Sequence, residues 1–223
     1  MAVQTGEGTT DIIFHSTSVP AGPRTLGGYL SRPDFGGEWP TVLVFGPEPL
    51  PTSTVKDICR VLARHGIAAL APDLTSSHRE NLSVSRAVSA FLADPSGAWS
   101  NAQFGYGTLC FGRGIFDLAA LAETDGRVVA SVLVASTIDD VTADQLRTAD
   151  VAGLAILSRG DESTDVDESV ARREQIPQTT FVVYPTGATG FWDAASEGFD
   201  EERYADTIDR LVAFFVENLP PKV

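Results

Sequence analysis

Gln103-Phe-Gly-Tyr-Gly-Thr-Leu-Cys110-Phe-Gly-Arg-Gly114 is the stretch on which the reading of this chain turns. It reads as a buried strand, a sharp turn and the start of a helix, with Cys110 at the tip. A nucleophile on such an elbow needs small neighbours two residues away on each side, and Thr108 and Gly112 occupy those positions. The helix expected over about 111–123 would aim its N-terminal N–H groups at the sulfur and favour the thiolate. Arg113, on the first turn of that helix, is placed to hold an anionic substrate group or to pair with an acid.

Working outward, the segments on either side alternate in period. Strands are expected at about 11–18, 25–31 and 40–46, followed by a helix over 53–65. In that helix Val55, Ile58, Cys59 and Leu62 fall at i, i+3, i+4 and i+7. A short apolar strand at 67–71 stops at Pro72-Asp73, and a helix follows over 82–94. Beyond the elbow, the runs at 127–136, 152–158 and 179–184 have the composition of fully buried strands. A closing helix over 201–218 carries Tyr204, Ile208, Leu211 and Phe215 on one face. Strand–helix alternation from residue 40 onward predicts an α/β fold with a mainly parallel central sheet and helices on both faces. The 223 residues fit one α/β domain spanning 1–223.

Composition narrows the partners. The formal charge is −14, from 16 Lys+Arg against 30 Asp+Glu. A field of that sign repels phosphate backbones and anionic lipid, so neither nucleic acid nor a membrane surface is expected as a partner. Two cysteines, Cys59 and Cys110, make no disulfide framework, which suits a reducing compartment. The N-terminal residues lack the basic and apolar blocks of a signal peptide, and no run approaches a membrane span, so a cytoplasmic location is expected. No metal site is read. The acidic run 161–168 has Val166 where a calcium loop needs glycine, and reads as a solvated helix start with Asp165 as N-cap. No cofactor is expected either, because Gly105-Tyr-Gly107-Thr-Leu-Cys110 misses the last glycine of a dinucleotide fingerprint.

In their order and spacing, several motifs resemble the dienelactone hydrolase family of α/β-hydrolases. They are Gly28-Tyr-Leu-Ser-Arg-Pro33, the strand Thr41–Phe45 with Glu48 after it, Gly66-Ile-Ala-Ala-Leu-Ala-Pro72-Asp73-Leu74, the cysteine elbow, Ser158-Arg-Gly-Asp161, and Tyr184-Pro185 with Gly190-Phe191. The resemblance implies the α/β-hydrolase fold, a Cys-His-Asp triad in chain order Cys, Asp, His, and hydrolysis of a lactone or ester. Carried over by position, Cys110 is the nucleophile, Asp161 the acid, and Phe111 the residue whose N–H serves the oxyanion. The histidine position, before Gly190-Phe191, holds Thr189, whose hydroxyl cannot relay a proton at neutral pH.

Further departures follow from the same comparison. Glu48 corresponds to a glutamate lying against the nucleophile, but the next residue is Pro49, which has no N–H to offer an oxyanion. An arginine that holds the substrate carboxylate in the family falls here near Asp193, of opposite sign. Phe191, Trp192, Pro49 and Leu50 are placed to wall a substrate pocket, with Phe191 and Trp192 beside the altered histidine position. Of the three histidines, His15 lies on the first strand and His65 at a helix end, which leaves His78, in the loop after Pro72-Asp73, to reach the crevice. Three readings stand on these residues. One is a slow ester or lactone hydrolase using Cys110, Asp161 and Glu48. The others are a lyase, isomerase or cyclase with Glu48 as base, and a binding protein that keeps the pocket without the catalysis. In each case the partner is a small molecule, and the chain is a monomer or homodimer.

Overall fold

The computed structural model describes residues 8–21, 24–75, 77–94 and 99–223. Two long strands open it, β1 (Ile12–Ala21) and β2 (Arg24–Pro33), paired antiparallel in continuous register from Ile12↔Pro33 to Ala21↔Arg24. After them strands and helices alternate: β3 (Thr41–Phe45), α1 (Ser53–Arg64), β4 (Ala68–Pro72), α2 (His78–Leu92), β5 (Tyr106–Phe111), α3 (Ile115–Thr124) and β6 (Val128–Val134). Then come α4 (Asp140–Ala149), β7 (Ala152–Ser158), α5 (Val166–Ala171), β8 (Thr179–Tyr184) and α6 (Glu201–Asn218). Helices α4 and α5 go beyond the sequence expectation, which placed only a helix start at Asp165. Their starts are capped by Asp139, which accepts from Thr142 N–H, and by Asp165, which accepts from Glu168 N–H at 2.8 Å each.

One eight-stranded sheet runs in the order β1-β2-β4-β3-β5-β6-β7-β8. The six strands from β3 onward are mutually parallel, and β2 joins β4 antiparallel. Strands β3, β4 and β5 are buried along their whole length, because helices cover both faces.

Two apolar layers flank the sheet. One joins Val55, Ile58 and Leu62 of α1 to Leu211, Val212 and Phe215 of α6, with Leu109 and Phe111 from β5. The other joins Val88 of α2, Leu118 and Leu121 of α3 and Leu146 of α4 to Tyr106 and Cys110 of β5. Successive side chains of a strand alternate between faces, which sends Leu109 and Phe111 one way and Cys110 the other. Sheet order reverses at β3. The chain leaves β3 for β4 on one side, then returns past it to β5 on the other. In an open α/β sheet the crevice for ligands forms at such a point, outside the carboxyl ends of the strands.

Candidate active-site crevice

The crevice lies between the chain leaving β3 at Phe45 and the chain leaving β5 at Phe111; Phe45 and Cys110 are register partners across that pair. The tip of the turn after β5 is Gly112, not Cys110. Strand β5 continues through Phe111, a 3-10 turn occupies Gly112–Gly114, and α3 begins only at Ile115. Gly112 alone in this turn has a left-handed backbone, with φ of 54°. A side chain there would have room, since a Cβ on Gly112 would lie 3.6 Å from Pro47 Cβ and 3.8 Å from the Ala135 carbonyl oxygen.

The small flanking residues are therefore Cys110 and Gly114. A Cβ on Gly114 would come within 2.8 Å of the Phe45 carbonyl oxygen and 3.0 Å of Cys110 Cβ, so this position accepts only glycine. The spacing Cys110-x-Gly112-x-Gly114 obeys the same steric rule that was applied to Thr108-x-Cys110-x-Gly112. Thr108 has a different task, with its hydroxyl 2.9 Å from Ser131 Oγ inside the sheet.

Cys110 itself is fully buried in the layer beneath α2 and α3. Its sulfur lies 3.8 Å from Ser136 Oγ, and that hydroxyl also meets the carbonyls of Gly112 at 3.0 Å and Val134 at 3.1 Å. Burial pushes the thiol up to about 12, against the opposing contact from Ser136 and with a further upward push from Asp117. The expected thiolate, drawn out by a helix N-terminus, is not what this environment favours. A side chain inside a strand points to a face of the sheet rather than toward its end.

Asp161 follows β7 and is 3% exposed. Its Oδ1 accepts from Ser163 N–H at 2.9 Å and from Ser163 Oγ at 2.6 Å. Thr189, beyond β8, is exposed, and its hydroxyl accepts from Glu162 N–H at 3.0 Å. Thr189 thus bonds the backbone of the residue after Asp161, while the Asp161 carboxylate itself is bonded by Ser163.

The remaining expected residues divide. Glu48 and Leu50 are exposed on the loop after β3, and Pro49 contributes its carbonyl to Leu74 N–H at 2.7 Å. The partner of the Cys110 sulfur is Ser136, so the expected Cys110–Glu48 pair gives way to a buried thiol and a solvated carboxylate. Phe111 is fully buried within the strand, its ring stacked on Trp192 at 4.3 Å; the residue that follows the tip of the turn is Arg113. Phe191 packs edge-on against Tyr184 at 5.7 Å, and both Phe191 and Trp192 belong to the core layer of α1 and α6 rather than to an open pocket wall. Asp193, at the position of opposite charge, is bonded by the Thr54 hydroxyl of α1. The side chains of Arg113 and His78 lie outside the described residues. Ala135, a non-glycine residue at φ of 51° across from Gly112, and Ser136 are crevice residues that no sequence signal marked.

Sheet order, crevice and elbow together define an α/β-hydrolase fold. Solved structures bear this out. A protein of Klebsiella pneumoniae described as a candidate dienelactone hydrolase superposes with a TM-score of 0.82 at 20% identity, over 93% of this chain and 99% of that one. A dienelactone hydrolase-like promiscuous phosphotriesterase from metagenomic libraries gives 0.77 at 16% identity, over 94% and 99%. An esterase of Pyrococcus furiosus gives 0.73 at 11%, over 93% of each chain. At these identities the likeness establishes the fold. No family model matches the chain, and no curated protein matches it significantly. Among the described residues no helix is long and apolar enough to cross a membrane.

Proposed function

We propose that this chain holds a small molecule in a hydrolase crevice without cleaving it. The observation that carries this reading is Gly112. The left-handed tip of the elbow, where the fold presents its nucleophile, bears no side chain. Two further features support it. The cysteine that could have replaced a nucleophile is sealed in the core with a thiol near 12, where only roughly 10⁻⁵ of it is ionised at pH 7. The second position of the acid–base pair carries Thr189, whose hydroxyl accepts a backbone hydrogen bond and cannot relay a proton at neutral pH. Similar structures described as an esterase and a phosphotriesterase suggest an ester- or lactone-sized ligand. Asp161 remains buried beyond the end of β7.

The test is turnover of p-nitrophenyl acetate by the wild-type chain, by Cys110→Ala, and by a Gly112→Ser/Thr189→His double variant. The wild type and Cys110→Ala are expected to be equally inactive above the buffer rate. The double variant restores a hydroxyl at the tip and an imidazole beside Asp161, and is expected to show a burst of acyl-enzyme formation. Turnover by the wild type that disappears in Cys110→Ala would refute the reading and return the nucleophile to Cys110.

A further inference from the structure

Asp161 uses one of its two oxygens. Both bonds from Ser163 go to Oδ1, while Oδ2 is buried and, among the described residues, no donor reaches it. The hydroxyl of Thr164, three residues on and 7% exposed, is likewise buried with no partner. Native proteins leave few buried acceptors in this condition, and a bound donor is one of the ways they are completed. Both residues line the same open depression of about 560 Å³, whose rim carries the exposed acids Glu162, Asp165 and Asp167.

The chemistry of an occupant follows from what surrounds these two oxygens. The ionised Asp161 Oδ2 only accepts and the Thr164 hydroxyl can accept as well as donate, so the ligand must bring at least one N–H or O–H donor. The cation nearest in sequence, Arg159, is already engaged with Asp167 at 2.8 Å. The hydroxyl of Thr189 is itself taken up by Glu162 N–H. Among the described residues no three acids, histidines or cysteines converge as metal ligands would, which favours a directional N–H donor over a divalent ion. The net charge of −14 draws cations toward such a rim.

We propose that this depression binds a small organic cation through an ammonium, amidinium or imidazolium group whose N–H bonds go to Asp161 Oδ2 and Thr164 Oγ1. The proposal rests on the reading of the crevice as a site that binds without cleaving, and it names the charge and donor pattern of what is bound. No exchange of covalent bonds is involved. The acid that would orient an imidazole of the chain instead orients one brought by the ligand, or its ammonium or amidinium equivalent.

The experiment is an amide-resolved NMR titration of the full chain with benzamidinium and n-butylammonium, with benzamide and n-butanol as neutral controls. The expected result is saturable shifts at the amides of residues 161–165 in the range of about 0.1–10 mM for the cations and none for the neutral compounds. Asp161→Asn is expected to weaken binding about tenfold or more, and Thr164→Val several-fold, whereas Glu217→Gln, an exposed acid on α6 outside the depression, changes it by about twofold or less, as a screened charge should. Thr164→Val keeps the test decisive if Asp161→Asn does not fold. Equal shifts from benzamide, no saturation, or unchanged affinity in both buried variants would overturn the proposal. Ester turnover measured on the same samples reports separately on the non-catalytic reading, so failure of one is distinguishable from failure of the other.

Discussion

Replacing Gly112 with cysteine tests where the elbow is, without requiring any catalysis. At φ of 54° a non-glycine residue costs about 1–2 kcal/mol. The added Cβ meets only Pro47 Cβ at 3.6 Å and the Ala135 oxygen at 3.8 Å, both ordinary contacts, so no steric term joins the backbone cost. For a chain of this size that lowers Tm by about 2–8 °C and leaves the variant folded. A thiol at the tip with an ordinary pKa of about 8.5 is ionised to about 3% at pH 7. Native Cys110, pushed up to about 12, is ionised to roughly 10⁻⁵. Ionisation alone therefore separates the two rates of alkylation by about three orders of magnitude, and the full burial of Cys110 widens the gap. Iodoacetamide at pH 7, followed by intact mass and peptide mapping, is expected to place one adduct rapidly on position 112 of Gly112→Cys. On the same time scale the wild type takes none. Rapid labelling of Cys110 in the folded wild type, or a folded Gly112→Cys variant that resists alkylation, would show that the tip has been assigned to the wrong residue.

Two other outcomes follow from the same packing. Gly114→Ala drives a methyl against the Phe45 carbonyl and Cys110 Cβ, a contact with backbone that no rotamer change relieves. It is expected to cost 3 kcal/mol or more, at or beyond the top of the usual overpacking range of about 1–3 kcal/mol, and urea denaturation should rank it well below Gly112→Ala. The thiols of Cys59 and Cys110 are both raised by burial from 9.0 to about 12. Above pH 9 the unfolded chain therefore loses protons that the native chain keeps. Their stabilising contribution is full below pH 9 and is lost as pH rises toward 12, by at most about 1.4 kcal/mol per pH unit for each thiol. Urea midpoints measured between pH 8 and 10.5 should fall, and fall less steeply in Cys59→Ala/Cys110→Ala; equal slopes would contradict the burial of these groups.

Much of the fold was legible in the sequence because its signals are local. Continuous apolar runs at Thr41–Phe45, Val128–Val134 and Ala152–Ser158 specify strands buried on both faces, and the i, i+3, i+4, i+7 pattern of Val55, Ile58, Cys59 and Leu62 specifies a helix lying on them. The position of Asp161 was legible as well, three residues past the buried strand that ends at Ser158. Helix α4 was not legible, since three buried residues, Thr142, Ala143 and Leu146, leave a weak apolar stripe.

The elbow was beyond the sequence for a different reason. Thr108-x-Cys110-x-Gly112 and Cys110-x-Gly112-x-Gly114 satisfy the same small-flank rule, and a nucleophilic sulfur draws the eye to the first. Which register is real depends on where β5 stops, and that is set by pairing with β3 and β6 out to Phe45↔Cys110 and Phe111↔Val134. Those partners lie far away in sequence. A shift of two residues keeps the same face of the strand but changes a thiol from the tip of a turn into a side chain under a helix. By itself, then, the sequence determined the order of the strands and of most of the helices, because periodicity and apolar runs are properties of neighbouring residues. Only the tertiary structure decided that the tip of the turn after β5 is a glycine, because the end of a strand is fixed by hydrogen bonds to the strands beside it.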